Sequence, residues 1–214
     1  MINGIKVNKS YLNDAGYNVV KNKINKYIVL HYTGCEKDTA EATARYFKNL
    51  KAHNFFLNGK YRYASANYVV DAKSIFKCVE RKHAAWHCGD DKNIWTKGGK
   101  LYKLCTNYNS IGIEICNSLN KFDNKALENA IELTRHLMKK YNIPIENVVR
   151  HYDVSGKCCP WIATDENENY KNNWKYIKAA CKLGSNYRIK IEKDTIYKQL
   201  KSGSKWVKIG ALMY

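Results

Sequence analysis

Residues 111–116 alternate strictly between isoleucine and another residue type, and this pattern constrains the fold more than any other stretch of the chain. A side-chain period of two is typical of a β-strand, so the three isoleucines are predicted on one face and Glu114 on the other. Because an isolated buried charge is costly, Glu114 either meets solvent on an edge strand or serves a site. Its small neighbours Gly112 and Cys116 favour the second interpretation, since they are expected to leave open space in a cleft.

Strand-like and helix-like segments alternate along the rest of the chain, which predicts an α/β domain with a largely central sheet. Strands rich in β-branched and aromatic residues are predicted at 27–33, 67–71, 74–79, 111–116 and 148–152. Helices are predicted after the capping pair Asp38 and Glu41, from Asp123 to Pro144, and over about 165–182. Residues 83–91 are predicted to form a polar and aromatic loop.

The C-terminal residues 185–214 differ from the segments before them. They contain short strand-like pieces around a Lys-Ser-Gly-Ser-Lys turn, and they are too few to form an independent barrel. At about 100–200 residues per domain, a chain of 214 residues is one full domain with a small appendage. We therefore predict a main domain over residues 1–183 and a short β-rich segment over residues 184–214.

The charge balance is strongly basic, with 37 Lys and Arg residues against 19 Asp and Glu residues and a net charge of +18. A basic surface attracts polyanions such as nucleic acid, anionic lipid or acidic cell-wall polymers. Because the basic residues are spread along the chain, a merely solvated surface is the alternative interpretation. Charge alone therefore selects no partner.

No apolar run in the sequence approaches the roughly 18 residues of a membrane span, which argues against membrane insertion. The first residues also lack the apolar stretch of about 7–15 residues that marks a secretory signal. The chain is therefore expected to be made in the cytoplasm. If it works outside the cell, another agent must release it.

Two histidines and a cysteine form a candidate metal site. His31 and His151 each end a predicted strand, and Cys159 follows His151 in a polar loop. Two imidazoles and a thiolate can hold zinc and leave a fourth position for water. The alternative is a pair of capping histidines with a buried thiol. The eight cysteines include no Cys-x-x-Cys pair, which argues against a four-cysteine structural zinc site.

Two further residues are candidates for chemistry near such a site. Lys157 stands two positions before Cys159, where an ammonium group could stabilise an oxyanion, although an ordinary surface lysine is the simpler interpretation. His87 lies in the 83–91 loop and is either an alternative metal ligand or a substrate contact. The sequence alone leaves both choices open.

Five segments carry a family resemblance. In single-letter code they read IVLHYTG at 28–34, SANYVVD at 65–71, AWHCG at 85–89, IGIEIC at 111–116 and RHYDVSGKCCP at 150–160. Together they resemble the zinc-dependent N-acetylmuramoyl-L-alanine amidases of the type 2 family, which are similar in fold to phage T7 lysozyme and the peptidoglycan recognition proteins. The resemblance implies a mostly mixed central sheet flanked by helices, with residues 1–183 as the catalytic domain.

The resemblance also assigns roles to individual residues. His31, His151 and Cys159 match the ligands of the Zn²⁺ cofactor. Glu114 matches the catalytic base in the family's Gly-Ile-Glu strand, and Lys157 matches the basic residue before the third ligand. The remaining candidates are predicted substrate contacts: Trp86, His87 and Asn67.

The implied activity is hydrolysis of the amide between N-acetylmuramic acid and L-alanine, as in an endolysin from a phage or prophage, or an autolysin. Such a protein acts on the wall after release through a pore or by lysis. The expected partners are bacterial peptidoglycan and anionic wall polymers, with no nucleic acid, and the chain is expected to be a monomer. Residues 184–214 resemble a truncated SH3-like wall-binding unit, or they pack on the main domain as a remnant.

Three alternatives stay open at the level of sequence. A non-catalytic peptidoglycan-binding protein keeps the groove but loses a metal ligand. A zinc peptidase applies the same chemistry to a bond within the stem peptide. A nucleic-acid-binding protein is motivated by charge alone and leaves the histidine, glutamate and cysteine set unexplained.

Overall fold

The computed structural model describes residues 1–13, 16–52, 56–57, 60–61, 63–119, 121–167, 171–183, 187–192, 195–200, 203, 205 and 207–211. Its strands are β1 (Val7–Asn8), β2 (Tyr17–Val19), β3 (Tyr27–Tyr32), β4 (Phe56–Leu57), β5 (Lys60–Tyr61), β6 (Tyr68–Val70), β7 (Ile75–Lys77), β8 (His83–Ala85), β9 (Ser110–Ile115), β10 (Val148–Arg150), β11 (Tyr187–Glu192), β12 (Thr195–Leu200) and β13 (Val207–Ala211). Its α-helices are α1 (Ala40–Ala52), α2 (Asn124–Tyr141), α3 (His151–Ser155) and α4 (Lys171–Lys182), with 3₁₀ turns at Ile145–Asn147 and Trp161–Ala163.

Six of the described strands form one mixed sheet in the order β1-β7-β6-β9-β3-β10. The alternating strand β9 lies inside this sheet and runs parallel to both neighbours, β6 and β3. Strand β10 is also parallel to β3, whereas β7 pairs with β6 in the antiparallel direction. The predicted mixed central sheet is therefore confirmed, and Glu114 lies on an inner strand rather than on an edge.

Helices cover both faces of this sheet, as predicted. The isoleucines of β9 are fully buried in a core that they share with the apolar face of α2. On the opposite face, α1 packs Phe47 and its alanines against Val69, Phe76 and Cys116. The period of two in β9 thus buries the isoleucines against α2 and places Glu114 on the sheet face that α1 covers.

Four local predictions differ from the structure. Residues 83–85 form strand β8, which pairs with β2, instead of a loop. Helix α1 begins at Ala40, and its first turn is not capped by the predicted pair of Asp38 and Glu41. Thr39 accepts a hydrogen bond from the Ala42 amide, whereas Asp38 accepts one from the Asn117 amide. Helix α2 ends at Tyr141 and is capped by Asn142 in a left-handed conformation, two residues before Pro144. The strand predicted at 148–152 stops at Arg150, because His151 already begins α3.

The C-terminal strands β11, β12 and β13 form a separate antiparallel sheet, so the strand-like character predicted for this segment is confirmed. Helix α4 covers 171–182 of the predicted 165–182, and residues 168–170 lie outside the described residues. The boundary predicted between residues 183 and 184 also falls next to undescribed residues. Among the described helices, none combines the length and the apolar character that a membrane crossing requires.

Candidate metal centre and cleft

A cavity of about 770 Å³ opens where β3, β9 and β10 end. The carboxyl ends of parallel strands meet at one edge of a sheet, and α/β proteins commonly place their sites there. The cavity is lined by seven of the eight residues predicted to form the site: His31, Trp86, His87, Glu114, His151, Lys157 and Cys159. The structure therefore brings all of the predicted site residues except Asn67 to one cavity.

The three predicted metal ligands lie together at the base of this cavity. One ligand atom from each of His31, His151 and Cys159 lies within 4.8 Å of the others, and all three residues are buried. His31 Nδ1 is 3.7 Å from Cys159 Sγ. Residues that are far apart in the sequence are thus brought into one compact donor set by β3, α3 and the loop after α3.

The segment around His151 has local reasons for its shape. Asp153 Oδ2 accepts a hydrogen bond of 2.8 Å from the Arg150 amide, which caps the first turn of α3 with His151 as its first residue. Gly156 ends the helix at φ +82°, a conformation that glycine adopts without strain. The Cys159 carbonyl then accepts a 2.9 Å hydrogen bond from the Tyr152 amide. These contacts fold the loop back so that Cys159 lies close to His151 and His31.

The chemistry of this donor set fits a zinc ion. Buried His151 Nδ1 has no hydrogen-bond partner among the described residues, so its lone pair or proton is free for another use. Burial holds the pKa of His31 well below its usual range, which keeps the ring neutral and able to coordinate. Burial also raises the pKa of the Cys159 thiol, and a divalent cation is the usual means of stabilising a buried thiolate. Two imidazoles and one thiolate are ligands that zinc favours.

Glu114 lies beside this donor set on the neighbouring strand. It is in register with His31 across β3 and β9, and its Oε1 lies 4.0 Å from His31 Nδ1. The side chain is 16% exposed, and its Oε2 has no hydrogen-bond partner among the described residues. Burial raises the pKa of Glu114 to about 8, while the charge of Lys157 acts in the opposite direction. A proton affinity in the neutral range suits a group that accepts and returns a proton.

Lys157 lines the cavity and is largely exposed. Its Nζ lies 3.7 Å from Oδ2 of Asp90, and the same oxygen lies 2.8 Å from His151 Nε2. The contact with His151, followed by the charge of Lys157, lowers the pKa of Asp90. Asp90 was missed by the sequence analysis, and its position three residues after His87 in a charged loop is a weak signal.

His87 and Trp86 occupy different parts of the cavity wall. Trp86 donates from Nε1 to Asn18 Oδ1 at 3.2 Å, and its ring meets Tyr63 edge-on with centroids 5.6 Å apart. His87 Nδ1 is 3.0 Å from His31 Nε2, so His87 contacts a candidate ligand directly. Its ring fills the space above Gly112, where a Cβ would lie 2.7 Å from the ring. The open space expected beside Gly112 is therefore occupied by His87.

Asn67 does not line the cavity. It is fully buried in the sheet, where its Oδ1 accepts from the Gly112 amide at 3.0 Å and its Nδ2 donates to the Val79 carbonyl at 3.3 Å. In place of the predicted substrate contact, the amide of Asn67 holds β6 and β9 in register. Two residues of α1, Tyr46 and Phe47, also line the cavity and are not among the site residues predicted from the sequence.

Residues 21–162 match the Amidase_2 family, which is described as N-acetylmuramoyl-L-alanine amidase. The chain is 30% identical over 162 residues to N-acetylmuramoyl-L-alanine amidase CwlL of Bacillus licheniformis, a match that covers 68% of this chain and 43% of CwlL. It is 33% identical over 146 residues to CwlH of Bacillus subtilis (strain 168), covering 68% of this chain and 51% of CwlH. The chain thus spans about half the length of these curated relatives.

Solved structures agree with the sequence match. The structure of PlyL has a TM-score of 0.64 and 27% identity, covering 85% of this chain and 99% of PlyL. The catalytic domain of XlyA has a TM-score of 0.61 and 27% identity, covering 83% of this chain and 99% of that domain. The family match includes every strand and loop that carries the buried donor set and Glu114.

Proposed function

The chain belongs to the N-acetylmuramoyl-L-alanine amidase family, and from this premise we propose that it hydrolyses the amide between N-acetylmuramic acid and L-alanine in bacterial peptidoglycan. The observation that carries the proposal is the buried cluster of His31, His151 and Cys159 beside Glu114 in one cavity. A protein that only binds peptidoglycan has no need of three buried ligands and an acidic neighbour.

Zinc is the proposed cofactor, and His31, His151 and Cys159 are the residues proposed to hold it. A zinc ion held by these residues would act as a Lewis acid toward the scissile carbonyl and would make a water molecule more acidic. The three residues offer two neutral nitrogen donors and one sulfur donor, which leaves room in a four-coordinate site for a water or a substrate oxygen.

Glu114 is the proposed general base and general acid. Its carboxylate takes a proton from the attacking water as the new carbon–oxygen bond forms, and it returns a proton to the nitrogen as the carbon–nitrogen bond breaks. The products are the lactyl carboxylate of the sugar and the free amine of L-alanine. The raised pKa of Glu114 suits both directions of this transfer.

Lys157 and Trp86 are proposed to act on the substrate. The exposed ammonium of Lys157 can approach the carbonyl oxygen on which negative charge develops, while Asp90 limits its range of positions. Trp86, with Tyr63 against its ring, offers an aromatic wall for a sugar or peptide group. The monomeric state and the wall-binding role of residues 184–214 stay predictions.

Digestion of purified cell wall tests the activity. The full chain is incubated with walls, with and without a chelator, and the released fragments are weighed by mass spectrometry. The amidase releases intact stem peptides that begin with L-alanine, and the chelator abolishes their release. Peptides cut internally would instead indicate a zinc peptidase, and the absence of any fragment with zinc-loaded protein would indicate a binding protein.

Anionic wall polymers are a second proposed partner, supported by the net charge of +18. Attraction between exposed charges is screened within about 10 Å at 0.1 M salt, so wall retention should weaken steeply with ionic strength. Sedimentation of the protein with walls, before and after removal of their anionic polymers, measures this. Equal retention by both walls at all salt concentrations would remove the polymer from the proposal.

We also propose that the protein acts after release from the cell that makes it. The support is a solved structure described as a mutant endolysin from Bacillus subtilis, which is 29% identical with a TM-score of 0.59. A time course of protein outside intact cells, with and without a pore-forming partner, tests this proposal. Export without the partner would contradict it.

A further inference from the structure

A buried chain of hydrogen bonds leads from His31 away from the cavity. His31 Nε2 lies 3.0 Å from His87 Nδ1, and His87 Nε2 lies 3.1 Å from Ser110 Oγ. Ser110 Oγ lies 2.6 Å from the carbonyl oxygen of Thr106. His31, His87 and Ser110 are all buried, so these contacts do not compete with bulk water.

The Thr106 carbonyl, at the end of this series of hydrogen bonds, determines the direction of the bonds that precede it. A carbonyl oxygen can only accept, so the single hydroxyl proton of Ser110 is donated to Thr106. Ser110 Oγ is then the acceptor for His87 Nε2–H. When His87 is neutral, its ring carries one N–H, so its Nδ1 is the acceptor and His31 Nε2 donates to it.

The same logic settles the other nitrogen of His31. With its proton on Nε2, the neutral ring of His31 presents a lone pair at Nδ1. That atom is the one that faces the donor set, 3.7 Å from Cys159 Sγ and 4.0 Å from Glu114 Oε1. The partner of one ring nitrogen thereby determines that the other is free to coordinate.

We propose that His87 and Ser110 are positioning residues, which hold the ring of His31 and set its tautomer so that Nδ1 is available as a metal ligand. The inference rests on the metal site of the proposed function and deepens it. It gives His87 a role other than the ligand or substrate contact predicted from sequence, because its Nδ1 is engaged by His31 and its Nε2 by Ser110.

The surrounding structure holds His87 in place from three sides. Asn107 Oδ1 accepts from the backbone amides of His87 and Cys88 at 3.1 and 2.9 Å. Gly112 provides the space that the ring fills. Lys23 Nζ donates to the Ser110 carbonyl at 2.6 Å, which fixes the backbone that carries the hydroxyl.

Nuclear magnetic resonance of the wild-type full chain tests the tautomer without any substitution. Long-range proton–nitrogen correlations on histidine-labelled protein, freed of metal, should show His31 and His87 protonated at Nε2 and unprotonated at Nδ1. Protonation of His31 at Nδ1 would overturn the inference, since the hydrogen-bond chain would then run in the other direction.

Zinc affinity, measured by competition with a chromophoric chelator, tests the positioning role. Loss of a residue that hydrogen-bonds a metal-ligating histidine typically costs about 10–100-fold in metal affinity. We expect losses of this size for His87→Ala and Ser110→Ala. His87→Asn should recover most of the affinity, because its amide oxygen can accept from His31 Nε2–H near the former position of Nδ1. Undiminished affinity in His87→Ala would overturn the inference.

Ser118→Ala is the matched control. Ser118 is equally buried and donates to the Ile115 carbonyl at 2.7 Å, but it contacts no histidine of the site. Its zinc affinity should equal that of the wild type, whereas a loss equal to that of Ser110→Ala would make the effect a general one of buried hydroxyl groups. If the wild type binds no zinc, the proposed function fails; if it binds zinc and the variants bind it equally, only the positioning role fails.

Discussion

Glu114 and His31 are paired directly across two adjacent parallel strands, with Oε1 of one 4.0 Å from Nδ1 of the other. The backbone register of the sheet sets this relationship, so it does not depend on a flexible loop. Both residues lie near the carboxyl ends of their strands, where the cavity opens. The candidate base and the candidate ligand are thus positioned by paired strands of the central sheet.

Glu114→Gln should separate hydrolysis from metal binding. Glutamine has nearly the same shape but cannot take a proton from water, so wall hydrolysis should fall by about 10²–10⁴ while zinc content stays at the wild-type level. Fragment release and metal analysis of the same preparation measure the two quantities. Glu128→Gln, on the exposed face of α2, is the control and should retain full activity. Wild-type hydrolysis by Glu114→Gln would remove this residue from the mechanism.

Substitution of the two adjacent cysteines should have unequal effects. Cys159 is buried in the donor set, whereas Cys158 lines the cavity without belonging to that set among the described residues. Cys159→Ser should lose more zinc affinity than the roughly 10–100-fold typical of residues that only support a ligand. Cys158→Ser is the matched control and should bind zinc as the wild type does. The reverse order in a chelator titration would assign the thiolate ligand to Cys158.

Periodicity and local motifs predicted much of the fold and the donor set. The alternation of residues 111–116 predicted that Glu114 lies on a strand. Its register opposite His31 comes from the parallel pairing of β9 with β3. The loop after His151 follows from local contacts such as Asp153 with the Arg150 amide, a capping signal that the sequence analysis overlooked when it extended the strand to residue 152.

The contacts that support the ligands were beyond the reach of sequence. His87 meets Ser110 and His31 only because β8, β9 and β3 converge at this point, and no spacing within the chain encodes that approach. The contact between Asp90 and His151 likewise arises from the tertiary fold and not from any spacing in the sequence. The position of Asn67 has the same origin: it lies buried just before β6, outside the cavity lining, because its side-chain amide bonds the backbone of Gly112 on β9.

Lys23 should make folding stability depend on alkaline pH. It is 7% exposed, and burial lowers its pKa from the ordinary value of 10.5 to about 8. Between these two pH values the unfolded chain binds more protons than the folded one, so the free energy of unfolding rises with pH across this window. The rise attributable to Lys23 is on the order of 3 kcal/mol.

Denaturant unfolding at a series of pH values measures this dependence. The difference in stability between wild type and Lys23→Met should grow in favour of the wild type from pH 8 to pH 10.5, because only the wild type loses the penalty of a buried ammonium. Lys21→Met, at a neighbouring exposed position, should follow the wild-type curve. Parallel curves for wild type and Lys23→Met would show that the ammonium is not penalised in the folded chain.

Gly112→Ala should damage the site through His87. A Cβ at residue 112 would lie 2.7 to 2.9 Å from three atoms of the His87 ring, so the ring must move away from its position against His31. Overpacking of this kind costs about 1–3 kcal/mol of stability, and zinc affinity should fall as well. A double-mutant cycle with His87→Ala isolates the cause, because the added methyl group fits once the ring is absent. In the His87→Ala background, Gly112→Ala should therefore have little further effect on stability or zinc binding. Additive losses in the double variant would instead mean that the methyl group disturbs strand β9 itself. The ring of His87 would then not be the reason why residue 112 is glycine.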